Sequence, residues 1–155
     1  MQLQKEKKYE EAVARYQEAI EVEEDPAIKA EYLYSVAYIQ TWQFKQFNSA
    51  RTNAKKAAGL KGSWGKPYIL IGDMYATSAA SCGDDGYTRG LAVLAAIDKY
   101  SYAKSIDSSV ASDANEKIGR ISGAKPTKDD VFMRGVQGKN AKVPCWIGET
   151  VKVRF

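Results

Sequence analysis

Apolar positions recur every three or four residues over most of this chain, the spacing that places them on one face of an α-helix. Within residues 9–20, Ala12, Tyr16 and Ala19 share such a face, and Pro26 follows beyond it. Residues 47–57 keep the same register with Ala50, Ala54 and Ala57, and residues 96–107 keep it with Ala96, Tyr100 and Ala103. Small side chains there let a partner helix approach closely. Candidate partners precede two of the three segments. Residues 30–39 carry Leu33, Val36 and Ala37 on one face, and residues 67–75 carry Tyr68, Ile71, Gly72 and Tyr75, with Pro67 suited to a helix start.

The pattern changes after residue 107. Ala111, Ala114, Ile118 and Ile121 predict one more helix over 110–121, and Ser122-Gly-Ala-Lys-Pro126 breaks it. Thr127, with Asp130 three residues on, reads as a capping box and predicts a short helix to about Gly135. Gly138-Lys139-Asn140 reads as a turn. Residues 143–147 and 150–155 then read as strands, the second alternating strictly. Gly59, Gly62 and Gly65 read as a helix stop and a turn.

The repeated pairing of helices resembles the tetratricopeptide repeat. Tyr68, Ile71, Gly72 and Tyr75 match the signature of that repeat's first helix, and Ala96, Tyr100 and Ala103 match its second. Leu33, Val36 and Ala37, followed by Ala50, Ala54 and Ala57, match both in the middle repeat. The spacing departs from the roughly 34-residue period of the family: Ala12 to Ala50 is 38 residues and Ala50 to Ala96 is 46. The second excess falls at Thr77 to Gly86 and reads as an insertion in the last repeat. The first repeat lacks most of its first helix, as expected of the C-terminal piece of a longer protein; a natural start is the alternative.

The resemblance implies an all-α solenoid of helical hairpins over residues 1–122, closed by a capping helix. Residues 123–155 form a small β-like appendix packing on it. It implies a non-enzymatic scaffold that binds a protein or peptide in a groove lined by the first helices. The groove positions map onto Tyr34, Tyr38 and Trp42, then onto Lys66, Ile69, Asp73 and Thr77. Tyr34, Tyr38 and Trp42 also form an aromatic stripe at spacing i, i+4, i+8, and exposed aromatics supply rigid contact area with a polar tip. The competing reading is a structural end of a longer array, with the groove filled by its own chain. The ending Cys145-Trp146-Ile147-Gly148-Glu149, together with Trp64-Gly-Lys-Pro, also resembles a group of bacterial envelope proteins with such repeats. An envelope location implies an oxidising compartment, where Cys82 and Cys145 would form a disulfide; two ordinary buried thiols are the other reading.

Composition narrows the chemistry. The 155 residues contain no histidine, which removes histidine-based triads, histidine metal sites and histidine pH switching. The net charge of +4 is too small to argue for nucleic acid as a partner. Charge is uneven: residues 1–26 hold 4 basic and 8 acidic side chains, or −4, so the remainder carries +8. A charged helix face accounts for this most simply, with a basic docking surface as the alternative. No apolar run approaches the roughly 18 residues of a membrane-spanning helix, and the first five residues do not resemble a secretory signal.

Other candidates fail on spacing. Asp84 and Asp85 lack the alternate carboxylates of a calcium loop, so a turn or helix cap is the expected role. Ser101-x-x-Lys104 matches a nucleophile motif by letters, without its companion motifs. Two cysteines without histidine make neither a zinc site nor an activated thiol. Neither cofactor nor metal is expected. Lys45, Arg51, Lys55 and Lys56 near the aromatic stripe admit base stacking, but most belong to the second helix, so nucleic acid is not the expected partner.

Overall fold

A computed structural model describes residues 2–155. Among them are seven α-helices and one small antiparallel sheet: α1 Gln2–Val22, α2 Pro26–Trp42, α3 Phe47–Leu60, α4 Lys66–Ser78, α5 Gly86–Ile106, α6 Ala111–Ile121, α7 Lys128–Arg134, β1 Asn140–Lys142 and β2 Thr150–Lys152. The chain is therefore mostly helical, and from α1 to α6 each helix packs on the next.

Local chemistry sets the helix starts. The Asp25 carboxylate accepts from the amides of Ala27 and Ile28 at 2.9 and 3.4 Å, with Pro26 in the first helical position of α2. In α4 Pro67 takes the second helical position, behind Gly65 as the cap. Asp85 caps α5 reciprocally with Thr88, so the carboxylate beside Gly86 is a capping group. Thr127 accepts from the Asp130 amide at 3.2 Å and starts α7, which ends at Gly135 in the left-handed region.

The small-residue stripes lie at the helix contacts. Ala50, Ala54 and Ala57 of α3 are fully buried, as are Ala96 and Ala103 of α5. In α1 no residue is buried, and Ala12, Tyr16 and Ala19 are half-buried, because α1 packs chiefly on α2. The main core joins α4, through Leu70, Ile71, Met74 and Tyr75, to α5, through Leu91, Leu94 and Tyr100. Each such buried aliphatic side chain contributes about 2 kcal/mol by leaving water.

The residues between Thr77 and Ala96 are used in two ways. A 3-10 turn over Ala79–Ser81 prolongs α4, and α5 starts ten residues before Ala96. The added length of α5 is a platform for the C-terminal segment. Val131, Val143, Ile147, Val151 and Val153 are buried in the same core as Leu91 and Leu94. A side chain at Gly90 would stand 2.7 Å from the Pro126 nitrogen, so glycine there lets the loop after α6 lie directly on α5.

Four sequence expectations about these elements need correction. The first strand is Asn140–Lys142, paired with Thr150–Lys152 in the register Asn140↔Lys152, and not residues 143–147. Pro144 has no amide to donate and Cys145 has φ +67°, so that apolar run turns instead of extending. Residues 153–155 lie outside β2, and Asn140, read as part of a turn, begins β1. Gly59 lies inside α3, leaving Gly62 and Gly65 for the connection.

Candidate functional site

Helices α2, α4 and α6 together enclose a cleft of about 420 Å³. One wall is the aromatic stripe of α2. Tyr34 and Tyr38 have ring centroids 6.2 Å apart, and Tyr38 and Trp42 meet edge-on at 6.4 Å. Tyr34 is half-buried and braced by Trp64 at 5.2 Å, while Tyr38 is 49% exposed. The Lys45 ammonium sits 5.4 Å from the Trp42 ring centre, at the outer end of the stripe. Ile69 of α4 is buried and forms the floor.

Six of the seven expected groove residues line this one cleft: Tyr34, Tyr38, Trp42, Lys66, Ile69 and Asp73. Thr77 does not. It lies one helical turn beyond Asp73, where the lining of α4 ends, and it is exposed outside the cleft.

Sequence reasoning did not place α6 here. Ser109 and Val110 from the 3-10 turn before it, with Asp113 and Lys117, form the far wall. Asp107 anchors this wall by accepting from the Gly65 amide at 2.8 Å. The Ser109 hydroxyl first, and that amide next, hold the Asp107 carboxyl below its ordinary range.

The charged residues of the cleft have unequal freedom. Asp73 accepts from the Tyr100 hydroxyl at 2.7 Å and from the Lys117 ammonium at 2.8 Å. Its side chain is 14% exposed, so Asp73, although it lines the cleft, is held by its own chain. Lys66 is exposed at the entrance. Burial pushes the Tyr34 hydroxyl up to about 12 and raises that of Tyr100 as well, with Asp73 adding to both. Both rings are therefore neutral donors at ordinary pH.

The stripe borders a second, shallower depression of about 320 Å³ between α1 and α2, where Tyr16 and Ile39 join Tyr34 and Tyr38. The aromatic ridge thus separates two concavities.

A disulfide joins Cys82 to Cys145, with Cα atoms 5.2 Å apart. It fixes the segment 143–148, which carries Trp146. That ring stacks on Phe47 at 5.3 Å and donates through Nε1 to Ser78 Oγ at 3.0 Å. Arg51 lies over the same ring and donates to the carbonyls of Ile147 and Trp146. Arg51, one of the cations near the aromatic stripe, is a structural clamp. Its carbonyl partners are 95 and 96 residues away, beyond any local sequence signal.

Among the described residues, no group of three carboxylate, thiol or imidazole side chains is placed to hold a metal ion, and no helix is long and apolar enough to cross a membrane. Comparison with protein-family models, curated proteins and solved structures returns no match.

Proposed function

We propose that this chain is a tetratricopeptide-type repeat module that binds a peptide or protein segment in the cleft between α2, α4 and α6. One observation carries this reading. Alternating helices contribute six expected positions to a single concavity with an apolar floor, an exposed Tyr38 and the entrance cation Lys66. Such a surface gives affinity through aromatic area and specificity through a few polar groups. Binding rather than catalysis is the proposed role, because the central carboxylate, Asp73, is already engaged by Tyr100 and Lys117. The disulfide supports an oxidising compartment such as the bacterial envelope.

Titration with a panel of short peptides, followed by nuclear magnetic resonance at Tyr38 and Trp42, tests this reading. Saturable shifts are expected at both residues. Binding should disappear in Tyr38→Ala while the far-ultraviolet circular dichroism stays unchanged. A structural role as the end of a longer array is favoured by one observation, the Lys117 side chain crossing from α6 to Asp73. In that case no peptide shifts the cleft, and Tyr38→Ala changes nothing but local packing.

A further inference from the structure

Toward the C-terminal end of α4 lies another cavity, of about 490 Å³, that shares no lining residue with the aromatic cleft. Its inner wall is aliphatic. Ala79 and Val93 are buried there, Ile121 stands beside them, and no aromatic ring takes part. Small residues keep it open: a side chain at Gly86 would meet nothing within 4 Å, and Ala80 at the mouth is exposed.

The rim has the opposite character. Arg89 of α5, Arg120 of α6 and Lys125 of the following loop surround the mouth, against the single carboxylate of Asp130. The close seat of Pro126 on Gly90 carries Lys125 to this position. Neighbouring cations are matched: Lys99 by Glu149, Lys117 by Asp73, Arg134 by Asp85 and Arg154 by Asp98. Arg120 pairs with Glu116. Arg89 and Lys125 make no ion pair with another described residue. Glu116 offsets Arg120 and Asp130 offsets one further cation, so one positive charge is left unmatched beside an apolar chamber.

We infer that this cavity binds an aliphatic monocarboxylate, with its chain against Ala79, Val93 and Ile121 and its carboxylate between Arg89 and Lys125. The walls select an aliphatic body, since they offer methyl groups and no ring face. The net charge selects a monoanion, because a second negative charge would meet Asp130. The guanidinium of Arg89 matches a carboxylate with two parallel donors. The volume lies within the range of small-molecule sites, roughly 300–1,000 Å³.

Calorimetric titration with decanoate tests the assignment. One saturable site is expected, with decanol binding far more weakly. The double variant Arg89→Gln/Lys125→Gln should weaken decanoate by about tenfold or more, as loss of charge-assisted hydrogen bonds implies. Ala80→Phe should block the mouth. Tyr38→Ala should leave decanoate affinity unchanged, which separates this site from the peptide cleft. The inference is overturned by absence of saturation, by equal affinity for decanol, or by unchanged affinity in the double variant. A leucine-ending peptide that binds here while decanoate does not would also overturn it. The double variant changes only surface side chains, so it decides the question even if Ala80→Phe fails to fold.

Discussion

Gly72 lies flat against the ring of Tyr100: a Cβ at Gly72 would stand 2.5 Å from Tyr100 Cε1. The ring cannot yield, because it is 2% exposed and its hydroxyl is tied to Asp73 at 2.7 Å. Close approach of α4 and α5 therefore requires glycine at this point. In an exposed helix, alanine in place of glycine would stabilise by up to about 1 kcal/mol. Here the overpacking cost, about 1–3 kcal/mol, works against that gain. Gly72→Ala should lower the urea midpoint, and Gly72→Ala combined with Tyr100→Leu should recover part of the loss. A rise in stability for the single variant would show that the two helices separate without cost.

Alkaline pH should weaken the fold through its buried tyrosines. Burial raises the hydroxyls of Tyr34, Tyr75 and Tyr100 above their ordinary value of 10.0, that of Tyr34 to about 12. A raised folded value means that the unfolded chain loses its proton first. The stabilising contribution is complete below pH 10 and is lost as pH rises through the folded value. Each tyrosine adds a slope of about 1.4 kcal/mol per pH unit in that window. Denaturant midpoints measured between pH 8 and 12 should be flat and then fall steeply above about 10. The fall should be shallower in Tyr100→Phe.

The Cys82–Cys145 bond closes a loop with a sequence separation of 63 residues. On the chain-entropy account, a crosslink of that span stabilises by about 4 kcal/mol. The paired substitution Cys82→Ser/Cys145→Ser should lose about that much in chemical unfolding. Its helix content should be retained, since both cysteines lie outside the α-helices. Mass analysis of alkylated native protein should find no free thiol without reductant. Two alkylated cysteines would overturn the expectation.

The helices were legible because their packing is written in short-range periodicity. Ala50, Ala54 and Ala57 mark the buried face of α3 without knowledge of its partner, and Tyr34, Tyr38 and Trp42 mark one stripe of α2. Relationships between distant segments were not legible. Nothing near Asp73 announces that Lys117, 44 residues later, will neutralise it. The run 143–147 is apolar enough for a strand, yet its shape is set by the disulfide and by Trp146 packing on Phe47 and Tyr75. Strand β1 falls instead on Asn140, Ala141 and Lys142, where one small apolar residue between two polar ones carries no strand signal and the pairing depends on β2.

The clamp made by Arg51 gives the last prediction. Its Nη1 donates to the Ile147 carbonyl at 2.7 Å and to the Tyr75 hydroxyl at 3.1 Å, and Nη2 donates to the Trp146 carbonyl at 3.3 Å. The guanidinium also lies 4.9 Å from the Trp146 ring centre. A lysine keeps the charge but loses the planar fork and the stacking face. Arg51→Lys should therefore cost about 2 kcal/mol, the scale of charge-assisted hydrogen bonds left unmade. The loss should appear locally as faster amide exchange over residues 145–148, with α4 and α5 still protected. Because the disulfide pins the same segment, the two restraints should couple. Reduction should raise exchange in Arg51→Lys by more than it does in the unmodified protein. Equal effects of reduction in both would show that Arg51 and the disulfide hold the segment independently.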